Sequence, residues 1–230
     1  MKILVLASGG LDSTVLLYKA VKEVGAENVV ALNSYYGQKH AIEHEYCKWQ
    51  CDHLGVTLYN ADLSQTFTFN PNCSALLEGS EKEIKHESYA EQLKELGGNG
   101  TVSAYVPFRN GLFLSYASAV ALQLDCNKIY YGAHADDAAG HAYPDCTPEF
   151  IESMGTAIYE GTGHKVKMEA PWWNLNKSGV VGEGILLGMT HEEFEHTWSC
   201  YEGGSEPCGT CGTCIDRKKA FEDNGIHDIK

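Results

Sequence analysis

Basic residues are scarce in this chain. Lysine and arginine number 17 against 31 aspartates and glutamates, a net charge of −14 over 230 residues. A protein that grips a long stretch of RNA or DNA presents a basic face. The balance therefore predicts a small, locally steered substrate and no nucleic-acid partner, with a basic pocket inside an acidic shell still open. Long apolar runs are lacking too. The longest, residues 112–124, is interrupted by Ser115, Tyr116, Ser118 and Gln123 and is shorter than a bilayer requires, so it reads as a buried helix and no membrane contact is expected. The apolar run after Met1-Lys2 ends at Gly9, too short for the core of a secretory signal, so a cytoplasmic protein is expected. There is no low-complexity tract, and 43% hydrophobic residues allow one sizeable α/β domain with a small appendage.

What is present begins with Ala7-Ser8-Gly9-Gly10-Leu11-Asp12-Ser13-Thr14. It follows an apolar run at 3–6 that reads as a buried strand. It precedes Val15-Leu16-Leu17, spaced as the inner face of a helix. Glycines let the backbone approach a phosphate closely, and the free N–H groups of a first helical turn point at it. No Gly-Lys-Ser/Thr follows, so this is not a Walker loop. The bland alternative is a strand–helix turn capped by Asp12 or Ser13.

Strands are expected at 29–32, 56–59, 128–132 and 165–170, with helices at about 13–24 and 41–54. This alternation predicts a Rossmann-like doubly wound parallel sheet, with ligands beyond the C-terminal strand ends. Residues 64–100 break the pattern, with one helix plausible at about 82–96. They read as an insertion or lid, or equally as a solvated excursion. Asn110 reads as the N-cap of the buried helix, and Arg109 before it is placed to meet a phosphate or carboxylate. The loop 133–146 carries two histidines and three aspartates, a ligand or metal loop, although each alone is more often a turn residue. Thr147 and Pro148 open a helix to about 159. Asn176 caps another to 187, leaving Lys177 in its first turn, a poor place for a cation unless it serves a bound anion. Thr190 starts a capping box.

Nine cysteines make an odd count, and Cys200, Cys208, Cys211 and Cys214 fall within fifteen residues. Four thiols spaced by small residues suit tetrahedral Zn²⁺ in a structural site, with an iron–sulfur cluster as the competing occupant. A closing helix is expected at 216–224. The organisation predicted is a nucleotide-binding domain over 1–190 and a zinc-binding segment over 191–230 packed on it.

The order Ser8-Gly9-Gly10-Leu11-Asp12-Ser13 resembles the PP-loop of N-type ATP pyrophosphatases. The later motifs narrow the likeness: Tyr36-Gly37-Gln38-x-His40 with Glu43, Val106-Pro107-x-Arg109-Asn110, Tyr143-Pro144-Asp145-Cys146, Lys177, and Thr197-Trp198-Ser199-Cys200-Tyr201 with its Cys-x-x-Cys-x-x-Cys tail. In this order they resemble the 7-cyano-7-deazaguanine synthases, the QueC family. The loop 133–142 departs from that pattern in length and alanine content. The resemblance implies an ATP-dependent ligase that joins ammonia to 7-carboxy-7-deazaguanine and yields the nitrile used for queuosine and related 7-deazaguanines. It implies ATP on Ala7, Ser8, Gly9, Gly10, Leu11, Asp12, Ser13, Thr14, Val15, Leu16 and Leu17, with Mg²⁺ on Asp12. Arg109 and Lys177 would act with Asp12 in catalysis. Gln38, His40, Glu43, Asp137, Tyr143 and Asp145 would contact the substrate. Zn²⁺ on the four cysteines and a homodimer are also implied. Lys2 stands where a glutaminase-type cysteine would be, so free ammonium is the expected nitrogen donor. Two rivals share parts of the pattern: a tRNA-modifying PP-loop enzyme of thiolase or lysidine synthetase type, using Cys51 or Cys146, and a non-catalytic zinc-and-nucleotide-binding module.

Overall fold

Alternation along the strands decides which side chain enters which core. In the computed structural model, which describes residues 1–227, strand β1 spans Ile3–Leu6 and β2 spans Val29–Tyr35. Ile3, Val5, Val29 and Ala31 pack on one face of the sheet, while Leu4, Val30 and Leu32 pack on the other. That is the two-residue period of a pleated strand. The first face is covered by α1 (Leu11–Val24), α2 (Glu43–Leu54), α7 (Lys177–Leu187) and α9 (Gly212–Asp223), through residues such as Leu16, Cys47, Val181 and Phe221. The second is covered by α4 (Arg109–Gln123) and α6 (Pro148–Gly161), through Leu114, Ala117 and Ile158. Each fully buried Leu or Ile contributes about 1.5–3 kcal/mol relative to exposure, so neither face tolerates a register slip.

The remaining strands are β3 (Thr57–Asp62), β4 (Lys128–Tyr130) and β5 (Lys167–Glu169). The five run parallel in the order β3-β2-β1-β4-β5, with Ile3 beside both Val29 and Lys128. The chain winds outward from β1 to β3, then returns to the far side of β1. The reversal between β1 and β4 opens a crevice at their carboxyl ends. The α/β, doubly wound architecture read from the sequence is the one observed.

Several local expectations shift. The first helix, expected at about 13–24, begins at Leu11, directly after the glycines. Asn110 is not an N-cap. Phe108 holds that position in a left-handed conformation, φ 55°. The first turn is instead served from a distance, because Asn110 N–H donates to Asp145 Oδ2 at 2.9 Å. The helix expected at 82–96 shrinks to α3 (Tyr89–Glu95), started by a Ser88–Glu91 capping box and stopped before Gly97, whose φ is 75°. The closing helix starts four residues early because Cys211 takes its N-cap position. Short helices α5 (Ala135–Ala138) and α8 (His191–Glu195) complete the set among the described residues. Residues 228–230 of the cysteine segment lie outside them.

The 64–100 stretch is not a solvated excursion. Lys39 N–H donates to the Leu76 carbonyl at 2.9 Å and Glu78 N–H to that of Gly37 at 2.7 Å. Leu76, Leu77 and Tyr89 join the core, and Ala75 and Ile84 pack with Trp198 and the buried cysteines. Of its large apolar side chains, Phe69 and Leu96 are left exposed.

Candidate active site

The glycine loop is held open by its own hydroxyls. Ser8 N–H donates to Ser13 Oγ at 3.1 Å, Gly10 N–H donates to Ser8 Oγ at 3.0 Å, and Ser13 Oγ donates to the Gly10 carbonyl at 3.1 Å. Asn33 Nδ2 braces the turn from β2 through the carbonyls of Ala7 (2.8 Å) and Ser8 (3.2 Å). Gly9 adopts φ 96°, and a Cβ there would stand 2.7 Å from Cys47 N and closer still to the Glu43 carbonyl oxygen. Only glycine lets α2 approach the loop this closely. No side chain caps α1 at Gly10, so neither Asp12 nor Ser13 does the capping job, and the first-turn N–H groups remain available to an anion. Ala7, Ser8, Gly10, Leu11, Asp12 and Ser13 line the cleft. Thr14, Val15, Leu16 and Leu17 do not. Their side chains are buried under the loop, because α1 is enclosed by the sheet on one side and by α2 and α7 on the others.

Three elements bring charges to the mouth of this loop. Lys177 Nζ lies 3.1 Å from Asp12 Oδ2, and Lys177 N–H donates to Asp136 Oδ2 at 2.8 Å. His134, buried after β4, places Nε2 at 3.7 Å from Asp12 Oδ1 and 3.5 Å from Asp137 Oδ2. Burial pushes the Asp12 carboxyl up, but Lys177 and His134 outweigh it and leave it below its ordinary value. Asp12 therefore stays ionised, and its Oδ1 is buried without a hydrogen-bond partner. A buried anionic oxygen with no donor fits an oxygen-seeking divalent cation such as Mg²⁺.

Opposite stands Arg109, presented by the strained Phe108 turn, a left-handed residue of the kind that costs about 1–2 kcal/mol. Its Nη1 donates to the Tyr36 hydroxyl at 2.8 Å, and its guanidinium carbon sits 5.0 Å from the Tyr36 ring and 5.8 Å from that of Phe113. Its Nε is buried without a partner. Tyr143 and Tyr201 stand near it, and their hydroxyls join that of Tyr89 in a cluster: Tyr89–Tyr201 2.8 Å, Tyr143–Tyr89 2.9 Å and Tyr143–Tyr201 3.4 Å. Burial, then the Arg109 charge, pushes His40 down to about 3. Burial pushes Glu43 up to about 8 against the pull of Arg109. A buried guanidinium with a free donor among aromatic walls suits a planar anionic ligand.

The fold gathers most of the expected residues. Gln38, His40, Glu43, Arg109, Asp137, Tyr143 and Lys177 all line the cleft. Gln38 also accepts Tyr36 N–H at 2.8 Å, which shapes the turn. Asp145 is not among them: its Oδ2 accepts Asn110 N–H at 2.9 Å behind the lining, its Oδ1 is buried without a partner, and burial raises its pKa. Asn33, Tyr36, Tyr89, Tyr131, His134, Trp198 and Tyr201 line the same cleft without having been expected individually. Tyr36, Trp198 and Tyr201 lie inside the motifs quoted above, and His134 lies in the 133–146 loop. Nothing in the sequence ties Tyr89 to this site.

The four C-terminal cysteines converge. Sγ of Cys200, Cys208, Cys211 and Cys214 lie within 4.8 Å of one another, and a tetrahedron with Zn–S bonds of about 2.3 Å has S···S edges of about 3.8 Å. Cys208 N–H donates to Cys200 Sγ at 3.3 Å, and Thr210 and Cys211 N–H donate to Cys208 Sγ at 3.5 and 3.2 Å. Such bonds stabilise thiolate charge, so the group fits a bound metal. His86 of the 64–100 stretch ties the segment down through Thr210 Oγ1 at 2.7 Å and Glu202 Oε1 at 3.0 Å.

A parallel sheet, an uncapped helix behind a hydroxyl-rich glycine loop and a crevice at the strand reversal together define an α/β nucleotide-binding enzyme class. Residues 2–225 match the family described as queuosine biosynthesis protein QueC. The chain belongs to the QueC family. Relatives named 7-cyano-7-deazaguanine synthase include those of Caldicellulosiruptor saccharolyticus (39% identical, covering 99% of this chain and 94% of that protein) and Caldicellulosiruptor bescii (36%, 99% and 96%). That of Archaeoglobus fulgidus is 35% identical, covering 99% of this chain and 89% of its own. The NMN synthetase of Francisella tularensis shares the fold at a TM-score of 0.51 and 16% identity, over 99% of this chain and 78% of that one.

Proposed function

We propose that this protein is an ATP-dependent ligase that converts 7-carboxy-7-deazaguanine and ammonia to 7-cyano-7-deazaguanine. The observation that carries this reading is one cleft holding both an uncapped helix N-terminus and a buried, unpaired guanidinium. The first suits the phosphates of ATP, the second a planar acid. A carboxylate is a poor electrophile, so its oxygen must become a leaving group. The substrate oxygen attacks the α-phosphorus, and pyrophosphate departs into the Ser8–Ser13 loop. Nitrogen then displaces AMP and gives the amide. A second adenylation of the amide oxygen, with loss of AMP and two protons, gives the nitrile. Lys177 neutralises phosphate charge, and Arg109 orients the acid. Positioning and charge neutralisation supply the catalysis, with no covalent enzyme nucleophile. Mg²⁺ would be held by Asp12 and would screen phosphate charge. Zn²⁺ would be held by the four cysteines and would fix the C-terminal segment. All nine cysteines are free of disulfides, which suits a reducing cytoplasm.

The test is mass spectrometry of a reaction containing the carboxy-deazaguanine, ATP and ammonium. The nitrile should form with two AMP per product. Intact protein that releases neither AMP nor ADP refutes the ligase. Tight tRNA binding without turnover of the free acid would point to tRNA modification instead.

A further inference from the structure

One corner of the cleft holds a carboxylate that the protein leaves without a hydrogen bond among the described residues. Glu43 opens α2 and lines the cleft with a side chain 13% exposed. Its ion-pair contact among the described residues is His40 Nε2 at 3.8 Å, beyond hydrogen-bond reach. The same Nε2 stands 3.5 Å from the Tyr36 hydroxyl, which accepts from Arg109 Nη1 at 2.8 Å. His40 Nδ1 is buried with no partner, and the Tyr201 ring lies 5.3 Å from the imidazole. A line of contacts thus runs from a guanidinium suited to an acid to a carboxylate that opens onto the cleft and meets no side-chain donor within hydrogen-bond reach among the described residues.

Resting on the ligase reading above, we propose that Glu43 binds ammonium and is the general base of the step in which nitrogen displaces AMP, with His40 and Tyr36 positioning it. Ammonium has no free electron pair. A Glu43 oxygen takes one proton, and the lone pair released attacks the activated acyl carbon. The C–N bond forms, the C–O bond to AMP breaks, and AMP leaves with that electron pair and the second nitrogen proton. Glu43 then returns its proton to water. The groups facing Glu43 are Arg109 from α4, Tyr36 from the end of β2, His40, and Cys47 one turn further along α2. Burial lifts its pKa to about 8 while Arg109 pulls it down, which places the base near its operating pH.

The test compares two nucleophiles. Hydroxylamine is largely unprotonated at neutral pH and needs no base. Glu43→Gln should lower kcat/KM for ammonium by about 10²–10³-fold and that for hydroxylamine, read as hydroxamate, by less than about tenfold. In the wild-type enzyme, kcat/KM for total ammonium should rise with pH and level near the Glu43 value of about 8, while the hydroxylamine profile stays flat. Equal losses for both nucleophiles, no loss for ammonium, or a wild-type profile that climbs on without levelling each overturn the proposal. Acid-dependent exchange of labelled pyrophosphate into ATP, run without any nitrogen donor, separates the two levels. Its absence in the wild type sinks the ligase reading itself, whereas its presence beside any of those three results sinks only the role of Glu43.

Discussion

Replacing Arg109 with methionine should separate stability from function. The guanidinium is buried, donates one hydrogen bond to Tyr36 at 2.8 Å and faces two aromatic rings, with no ion pair among the described residues. Removing it forfeits a charge-assisted bond of about 1.5–3 kcal/mol and cation–π attraction of about 1–2 kcal/mol. It also relieves the desolvation of a buried ion, several kcal/mol in the opposite direction. Methionine fills much of the same space and adapts its shape. The terms nearly cancel, so stability should change by no more than about 2 kcal/mol, a Tm shift within about 4–8 °C for a chain of this size. The functional loss has nothing to offset it. Two charge-assisted bonds to a substrate carboxylate, at about 1.5–3 kcal/mol each, amount to about 10²–10⁴-fold in kcat/KM for the acid. Arg109→Lys keeps the charge but not the planar fork and should recover only part of this. The assays are calorimetry and steady-state kinetics with each substrate varied in turn. A variant that unfolds by many degrees shows that the arginine is structural. A KM that rises for ATP and not for the acid assigns it to the phosphates. Either result refutes the reasoning.

Asp12→Ala should cost at least about 10²-fold in turnover with an unchanged circular dichroism spectrum, because Asp12 meets Lys177 and His134 at the loop mouth and not in the core; near-normal activity removes it from the mechanism. Cys211→Ser should lose zinc by elemental analysis and loosen the segment that His86 and Trp198 hold, and iron in the native protein sinks the zinc assignment. Glu43 also makes a stability prediction. Its pKa lies at about 8 in the folded protein against an ordinary 4.5, so between those values the folded state binds the extra proton and stability falls as pH rises, by up to about 1.4 kcal/mol per pH unit. Glu43→Gln should flatten that slope and gain on the wild type toward alkaline pH in denaturant titrations, and parallel profiles would contradict the burial argument.

The parts of this site legible in the sequence are those whose chemistry is local. A strand, two glycines and hydroxyls in a row announce an anion loop, because the donors and the turn are contiguous. Four cysteines announce a metal, because only sulfur at that density does so. Thr190 and Thr147 announce helix starts for the same reason. What failed needed partners far along the chain. Asn110 looked like a cap, yet Asp145, thirty-five residues on, supplies the acceptor. Tyr89 falls on a helix expected within a stretch that reads equally as a lid or a solvated excursion, and nothing local shows that its hydroxyl meets those of Tyr143 and Tyr201. The 64–100 stretch shows why such errors cluster. Its polar composition hides a few apolar residues, Leu76, Leu77 and Ile84, that dock it against the sheet and the cysteine segment. That docking brings a tyrosine to the wall of the cleft. The acidic surface and the cationic interior likewise separate only in three dimensions. Arg109 and Lys177 are two of 17 basic residues, and nothing in their number distinguishes them. What does is that one is buried without a salt bridge among the described residues and the other is held against Asp12 at the loop, so that charge is withheld from the surface and concentrated where an acid and a triphosphate would have to meet.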